Sequence, residues 1–230
     1  MNPADAAALL FQQQAETWTF LGTSFAFREE RMLLTAAHCV KGIDVKELAV
    51  LFPSNQASAY CVESVTVHPV ADIAICRTEP LPSGLISPFS GVGEAGPGQE
   101  FIAFGFPEDE SGPGGGRQPT ARIFRGYFQR TLEFKSRFGY EYRAAELSIP
   151  APQGLSGGPV LHGKFRAPVG IVTENFESFT TVHEEVETPE GKTVYRHVIN
   201  YGVGLLLAGV AEWLTDRFLA AGSKDKSKSA

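Results

Sequence analysis

The chain carries no stripe of lysine or arginine ahead of its last residues, and its net charge is −6. That balance excludes the electrostatic footprint of a nucleic-acid binder. It also lacks a long apolar run. Its most apolar late stretch, 203–211, is far shorter than the roughly 20 residues a membrane-spanning helix needs. Residues 1–11 carry Asp5 and no Lys or Arg, without the basic start, apolar core and small-residue cleavage site of an export signal. Cysteine is scarce: Cys39, Cys61 and Cys76 are an odd number. In a chain without an export signal this reads as buried, reduced thiols and a cytoplasmic location, with one disulfide plus a spare thiol as the alternative. His68, His162, His183 and His197 stand without ligand spacing, so no metal site and no cofactor are expected. The glycine-rich stretch 112–116 lacks the Lys-Ser/Thr that follows in a phosphate loop and is expected to be a flexible surface loop.

Turn formers are abundant instead, with 24 glycines and 15 prolines among 230 residues. They separate short β-like runs at 18–21, 23–28, 32–35, 47–52, 64–68, 73–77 and 100–106. A second series follows at 121–128, 142–149, 159–162, 168–173, 180–187, 193–198 and 203–207, with a hairpin tip at Pro189, Glu190 and Gly191. The Pro- and Gly-rich stretch 80–98 reads as a connection between two halves. Only the ends look helical. Ala, Leu and Gln over 5–14 favour a short helix, and Val210, Trp213, Leu214 and Phe218 share one helical face. Two β-rich halves, a long connection and a C-terminal α-helix suggest an all-β double barrel. The predicted bounds are an N-terminal barrel over about 17–90, a C-terminal barrel over about 98–208, a helix over about 209–221 and a disordered tail over 222–230.

Three segments carry chemistry. In Leu34-Thr35-Ala36-Ala37-His38-Cys39, small residues let the backbone turn tightly beside an imidazole. In His68-Pro69-Val70-Ala71-Asp72-Ile73-Ala74-Ile75, a carboxylate precedes an apolar strand, where burial would demand a hydrogen-bonded partner. In Gly154-Leu155-Ser156-Gly157-Gly158-Pro159-Val160, glycines flank a serine and allow a sharp bend with backbone amides close to a substrate. A serine hydroxyl is a weak nucleophile until a base takes its proton. His38 is the candidate base, Asp72 its orienting carboxylate, and the N–H groups of Gly154 and Ser156 a candidate oxyanion hole. Taken singly, the three have plainer explanations, as a core histidine, a turn aspartate and a loop serine. Their joint occurrence is what argues for catalysis.

These blocks resemble the three signature segments of chymotrypsin-like serine peptidases, in that family's order of His, Asp, Ser. The spacings are 34 and 84 residues, and the resemblance spans about 18–219. Gly22-Thr23-Ser24-Phe25, residues 101–107 and Gly170-Ile171-Val172-Thr173 also resemble family strands. The resemblance implies an all-β fold of two six-stranded antiparallel β-barrels with a C-terminal α-helix, and a serine endopeptidase acting on a protein or peptide substrate. In the secreted, zymogen-activated members an aspartate precedes the serine and pairs with a newly cut N-terminus, whereas here Leu155 stands there. The position that would hold the disulfide partner of Cys39 falls near Thr23 and is no cysteine. Both departures are similar to HtrA/DegP-type and intracellular bacterial trypsin-like peptidases. With no PDZ-like segment following, a stand-alone domain is expected, paired with a separate regulatory or targeting protein and with neither nucleic acid nor membrane.

By the same resemblance, Pro150, Ala151 and Pro152 would floor the pocket for the side chain preceding the cut. Thr173, Glu174 and Asn175 would line a wall and bind substrate backbone, with Gly202 or Gly204 at the back. No carboxylate lies at that floor, so small or medium apolar residues are the expected preference, with Glu174 as a competing attraction for Lys or Arg. Two other functions remain open on the sequence: a non-catalytic binding module on this fold, and an esterase using the same triad.

Overall fold

A computed structural model describes residues 2–109, 117–164, 167–188 and 191–226. The glycine-rich stretch 112–116, most of the expected hairpin tip (Pro189 and Glu190) and residues 227–230 lie outside the described residues. Six strands form the first closed barrel, in the order β1-β2-β3-β6-β5-β4. They are β1 (Ala7–Gln14), β2 (Thr17–Phe27), β3 (Glu29–Thr35), β4 (Leu48–Phe52), β5 (Asn55–Val67) and β6 (Ala74–Thr78). A two-stranded ribbon, β8 (Glu108–Asp109) with β9 (Gln118–Pro119), follows β7 (Glu100–Gly105). The other strands of the second barrel are β10 (Arg122–Lys135), β11 (Glu141–Leu147), β12 (Pro159–His162), β13 (Pro168–Thr188) and β14 (Gly191–Leu206), closing in the order β10-β11-β14-β13-β12-β7. The predicted double barrel is therefore correct. Closure leaves neither barrel with an unpaired sheet edge.

The N-terminal helix expected over 5–14 is not there. Pro3–Asp5 makes one 3-10 turn, and Ala7–Gln14 is a strand paired with both β2 and β4. Ala8 and Leu10 enter the large core, while Ala7 and Leu9 pack on Phe104 and Phe106 of the second barrel. Both faces are covered, so the segment lacks the polar alternation that marks a half-buried strand. Helix propensities differ by only tenths of a kcal/mol per residue, and two ladders with two buried faces override them. Elsewhere the runs 18–21 and 23–28 fuse through Gly22 into β2, and the four late runs fuse into the long β13–β14 hairpin. Thr188 pairs with Gly191 at its described end.

The connection between barrels is pinned to the first one. Arg28 N donates to Phe89 O at 2.6 Å, Phe89 N to Ala26 O at 3.0 Å, and the Phe89 ring meets Phe25 edge-on. The C-terminal helix α1 (Ala211–Lys226) runs past the expected 221, so residues 222–226 are helical rather than tail. Leu214 is fully buried, and Trp213 and Phe218 pack on the same core. Burying a leucine contributes about 1.5–3 kcal/mol, enough to hold one turn in place. All three cysteines are free thiols, Cys39 and Cys76 buried and Cys61 exposed. Among the described residues, no cluster of His, Cys, Asp and Glu could hold a metal ion.

Candidate active site

The three chemistry-bearing segments fall at strand ends facing the junction of the barrels. His38 sits on the 3-10 turn Ala37–Cys39 that follows β3, with Ala36 and Ala37 fully buried beneath it. Asp72 lies in the link from β5 to β6 and is fully buried. Its Oδ2 accepts from His38 Nδ1 at 2.7 Å and its Oδ1 from His38 N at 2.9 Å, so one carboxylate fixes both the ring and its backbone. Burial of the ring works against its charged form. Hydrogen bonds and charge from Asp72 and Cys39 outweigh it and hold the His38 pKa above its ordinary value.

A second histidine shapes the aspartate's link. His68 Nδ1 accepts from Ala71 N at 2.8 Å and Val70 N at 3.2 Å, while Trp213 of α1 stands edge-on to its ring at 5.0 Å. Accepting at Nδ1 places the ring proton on Nε2, and burial lowers the His68 pKa, which favours this neutral form. On the sequence His68 had no role. Its position within the aspartate block was the only signal.

Ser156 lies in the loop from β11 to β12, and its Oγ donates to Thr173 O at 3.0 Å. No described hydrogen bond joins it to His38. The loop backbone around it is anchored carbonyl by carbonyl. Gln153 O accepts from Glu108 N at 3.0 Å, Gly154 O from Thr23 Oγ1 at 2.8 Å, Leu155 O from Gly158 N at 2.9 Å and Ser156 O from Thr23 N at 2.8 Å. In a planar trans peptide the N–H points opposite to the carbonyl. The N–H groups of Gly154 and Ser156 therefore point away from the Glu108 and Gly158 anchors, and no described protein acceptor takes them. Gly154 and Gly157 have φ of +89° and +83°, and a Cβ on Gly157 would lie 2.1 Å from Thr23 O. Only glycine fits that turn.

Leu155 is fully buried against Gly105 in the second barrel's own core, filling the position where zymogen-type relatives carry an aspartate. Thr23, also fully buried, ties the loop to the first barrel. Its hydroxyl donates to Gly154 O and accepts from Phe106 N at 3.1 Å. Thr23→Val keeps the shape and leaves both groups unpaired, at a cost of about 1–3 kcal/mol each. The expected result is a lower chemical-denaturation midpoint together with slower turnover, and a midpoint equal to the parent's would show that the hydroxyl carries no such role. The residue facing Cys39 is Gly22, whose Cβ would lie 3.0 Å from Cys39 Sγ. That position is next to Thr23, as expected, and it is no cysteine.

Residues predicted to bind substrate divide into two groups. The Asn175 amide clasps Ala151, with Nδ2 donating to Ala151 O at 2.8 Å and Oδ1 accepting from Ala151 N at 2.6 Å. This ties Ala151, between Pro150 and Pro152, to β13, and Gly202 N donates to Ile149 O at 2.5 Å beside it. Thr173 is buried, its hydroxyl donating to Val203 O and accepting from Tyr142. Glu174 instead faces Arg137, whose Nε lies 3.6 Å from Oε2. Burial raises the Glu174 pKa, against the pull of Arg137. Next to it, the Phe138 ring stacks on His38 with centroids 4.3 Å apart and planes 11° from parallel. Nothing in the sequence singled out Arg137 or Phe138, which sit in an unpatterned turn.

Solved structures with this double barrel include the Rv3671c protease of M. tuberculosis in its active form, with 17% identity, 93% of this chain and 81% of that chain covered, and a TM-score of 0.60. The HtrA-type protease AlgW with a tripeptide gives 17% identity, coverage of 92% and 60%, and a TM-score of 0.63. The MamO protease domain from Magnetospirillum magneticum gives 14%, 91% and 95%, and 0.63. At such identities the likeness is one of fold. No curated protein sequence matches the chain significantly. The profile of the trypsin-like peptidase domain matches residues 22–171, a stretch that contains His38, Asp72 and Ser156. By that match, the chain belongs to the trypsin-like peptidase domain family.

Proposed function

We propose that the chain is a serine endopeptidase in which Ser156 attacks the scissile carbonyl, His38 transfers the proton and Asp72 orients His38. The observation that carries this is the buried Asp72 carboxylate bonded to Nδ1 of His38 at 2.7 Å, which leaves Nε2 free to act as base. A carboxylate so placed stabilises the imidazolium formed when Nε2 takes the Ser156 proton. For the reaction Ser156 Oγ turns from Thr173 O toward Nε2, the kind of tightening expected once substrate binds. Attack gives a tetrahedral intermediate whose oxyanion the N–H groups of Gly154 and Ser156 would hold. His38 then protonates the leaving amine, and water releases the acyl group by the same route. Thr173, Glu174 and Asn175 would pair with extended substrate backbone, leaving the preceding side chain to the Pro150–Ala151–Pro152 floor. The Asn175 clasp on Ala151 and the lack of a carboxylate there favour small apolar residues such as Ala, Val or Leu.

Labelling with a fluorophosphonate tests the activated serine. The probe should modify the parent chain and not the Ser156→Ala variant, and an unlabelled parent would point to a binding module. Casein digestion then separates peptidase from esterase. No processed N-terminus is required, because Leu155 is held by burial rather than by an ion pair. A chain with a bulky, uncleavable N-terminal tag should match the untagged one in kcat/KM within about twofold, below the ~0.5 kcal/mol usual for a neutral surface change. Dependence on a free, cut N-terminus would refute this.

A further inference from the structure

The turn joining β10 to β11 puts one side chain against His38 and another against Glu174. Ser136 is buried and organises the turn. Its hydroxyl accepts from Phe138 N at 3.1 Å and Tyr140 N at 3.2 Å, and its N–H donates to Tyr140 O at 2.8 Å. Gly139 takes a φ of +84° to close it. The turn so fixed lays Phe138 on His38 and Arg137 both over the Phe138 ring, at 4.9 Å, and beside Glu174.

Glu174 is badly served by this arrangement. Its side chain is only 4% exposed, yet Oε1 is buried with no hydrogen-bond partner, while Arg137 serves the carboxylate through its backbone N–H and with Nε at a long 3.6 Å from Oε2. The Arg137 side chain is 74% exposed, so its grip is weak and easily exchanged. A buried carboxylate without a full partner is costly and calls for either a proton or a cation. An aromatic face beside a carboxylate is the chemistry of a cation site.

We infer that Glu174 and Phe138 form a subsite for a cationic substrate side chain, Lys or Arg, which replaces the chain's own Arg137. The subsite rests on the peptidase assignment for its place along the substrate. In an extended substrate paired with β13, successive side chains point to opposite sides. If the residue before the cut enters toward Ala151, its predecessor turns toward His38, Phe138 and Glu174. The cation is thus read at the second residue before the cut, apart from the apolar pocket. The stem of the Lys or Arg lies on Phe138, and its head takes the place of the Arg137 guanidinium at Oε2 of Glu174.

Binding to the Ser156→Ala chain tests this without turnover. The probes are two extended hexapeptides, alike except for Lys or Gln at the second residue before an Ala-Val or Val-Ala junction. Calorimetry should show the Lys peptide bound about tenfold more tightly, the scale of one charge-assisted hydrogen bond. Adding Glu174→Gln should erase that ratio. Adding Arg137→Ala, which removes a side chain that is 74% exposed, should widen it by removing the internal competitor. Equal affinities, or a ratio that survives Glu174→Gln, overturn the subsite. If the ratio appears but the parent chain cleaves neither peptide, the peptidase assignment fails while the cation subsite stands.

Discussion

Ser156→Ala should lower kcat by several orders of magnitude, about 10⁶-fold if the chain behaves as subtilisin does, with almost no loss of stability. The rate loss follows from removing the proposed nucleophile. The stability expectation follows from what Ser156 Oγ does in the folded chain, where its one described bond is to Thr173 O. The backbone anchors at Gln153, Gly154, Leu155 and Ser156 involve no side-chain atom of Ser156, so the loop should keep its shape. His38→Ala should cost about as much, because a serine without its base is as inert as an alanine. Combining the two should add little, since parts of one machine do not contribute additively. Steady-state turnover of a casein-derived peptide, alongside thermal melts, measures all three. Proteolysis by Ser156→Ala at a near-parent rate would mean that another group is the nucleophile.

The sequence made the barrels visible where strands are half-exposed and bounded by turn residues. The stretch 121–128, for instance, recurs at the start of β10, where Gly126 and Phe128 are buried between exposed neighbours. It failed at β1, whose two buried faces erase the alternation and whose Ala, Leu and Gln mimic a helix. Fusion of neighbouring runs was also hidden. Gly22 reads as a break, but inside β2 it is the residue that lets the strand pass close to Ser156 O. At the site, His38 and Asp72 were legible because their neighbours are constrained too: small residues under the ring, an apolar strand behind the carboxylate. Supporting groups left no such trace. Thr23 meets Gly154 across 131 residues, and Asn175 meets Ala151 across 24, through side-chain hydrogen bonds that no local pattern encodes. Phe138 reaches His38, and Arg137 reaches Glu174, only because a turn buried at Ser136 aims them there.

Asp72→Asn should reduce kcat/KM at neutral pH by about 10⁴-fold, less than the loss of Ser156, and should also move the pH profile. The carboxylate is fully buried and its two oxygens serve His38 alone among the described bonds. An asparagine retains one acceptor. If that acceptor stays on His38 N, the amide N–H₂ faces Nδ1 as a donor. The ring must then accept at Nδ1 and carry its proton on Nε2, where it cannot take one from Ser156. The shift of the profile has a definite sign. A general base works when neutral, so activity rises as pH passes through the His38 pKa. In the parent chain burial opposes the imidazolium, but Asp72 and Cys39 outweigh it, so this limb lies above the ordinary value of about 6.5. The substitution removes the carboxylate and leaves the burial. Residual activity should therefore rise along a limb displaced to lower pH than in the parent. A profile of kcat/KM against pH for both chains measures rate and limb together. A limb that stays in place would mean that Asp72 does not set the charge of His38. A loss of less than tenfold would mean that it does not set the tautomer.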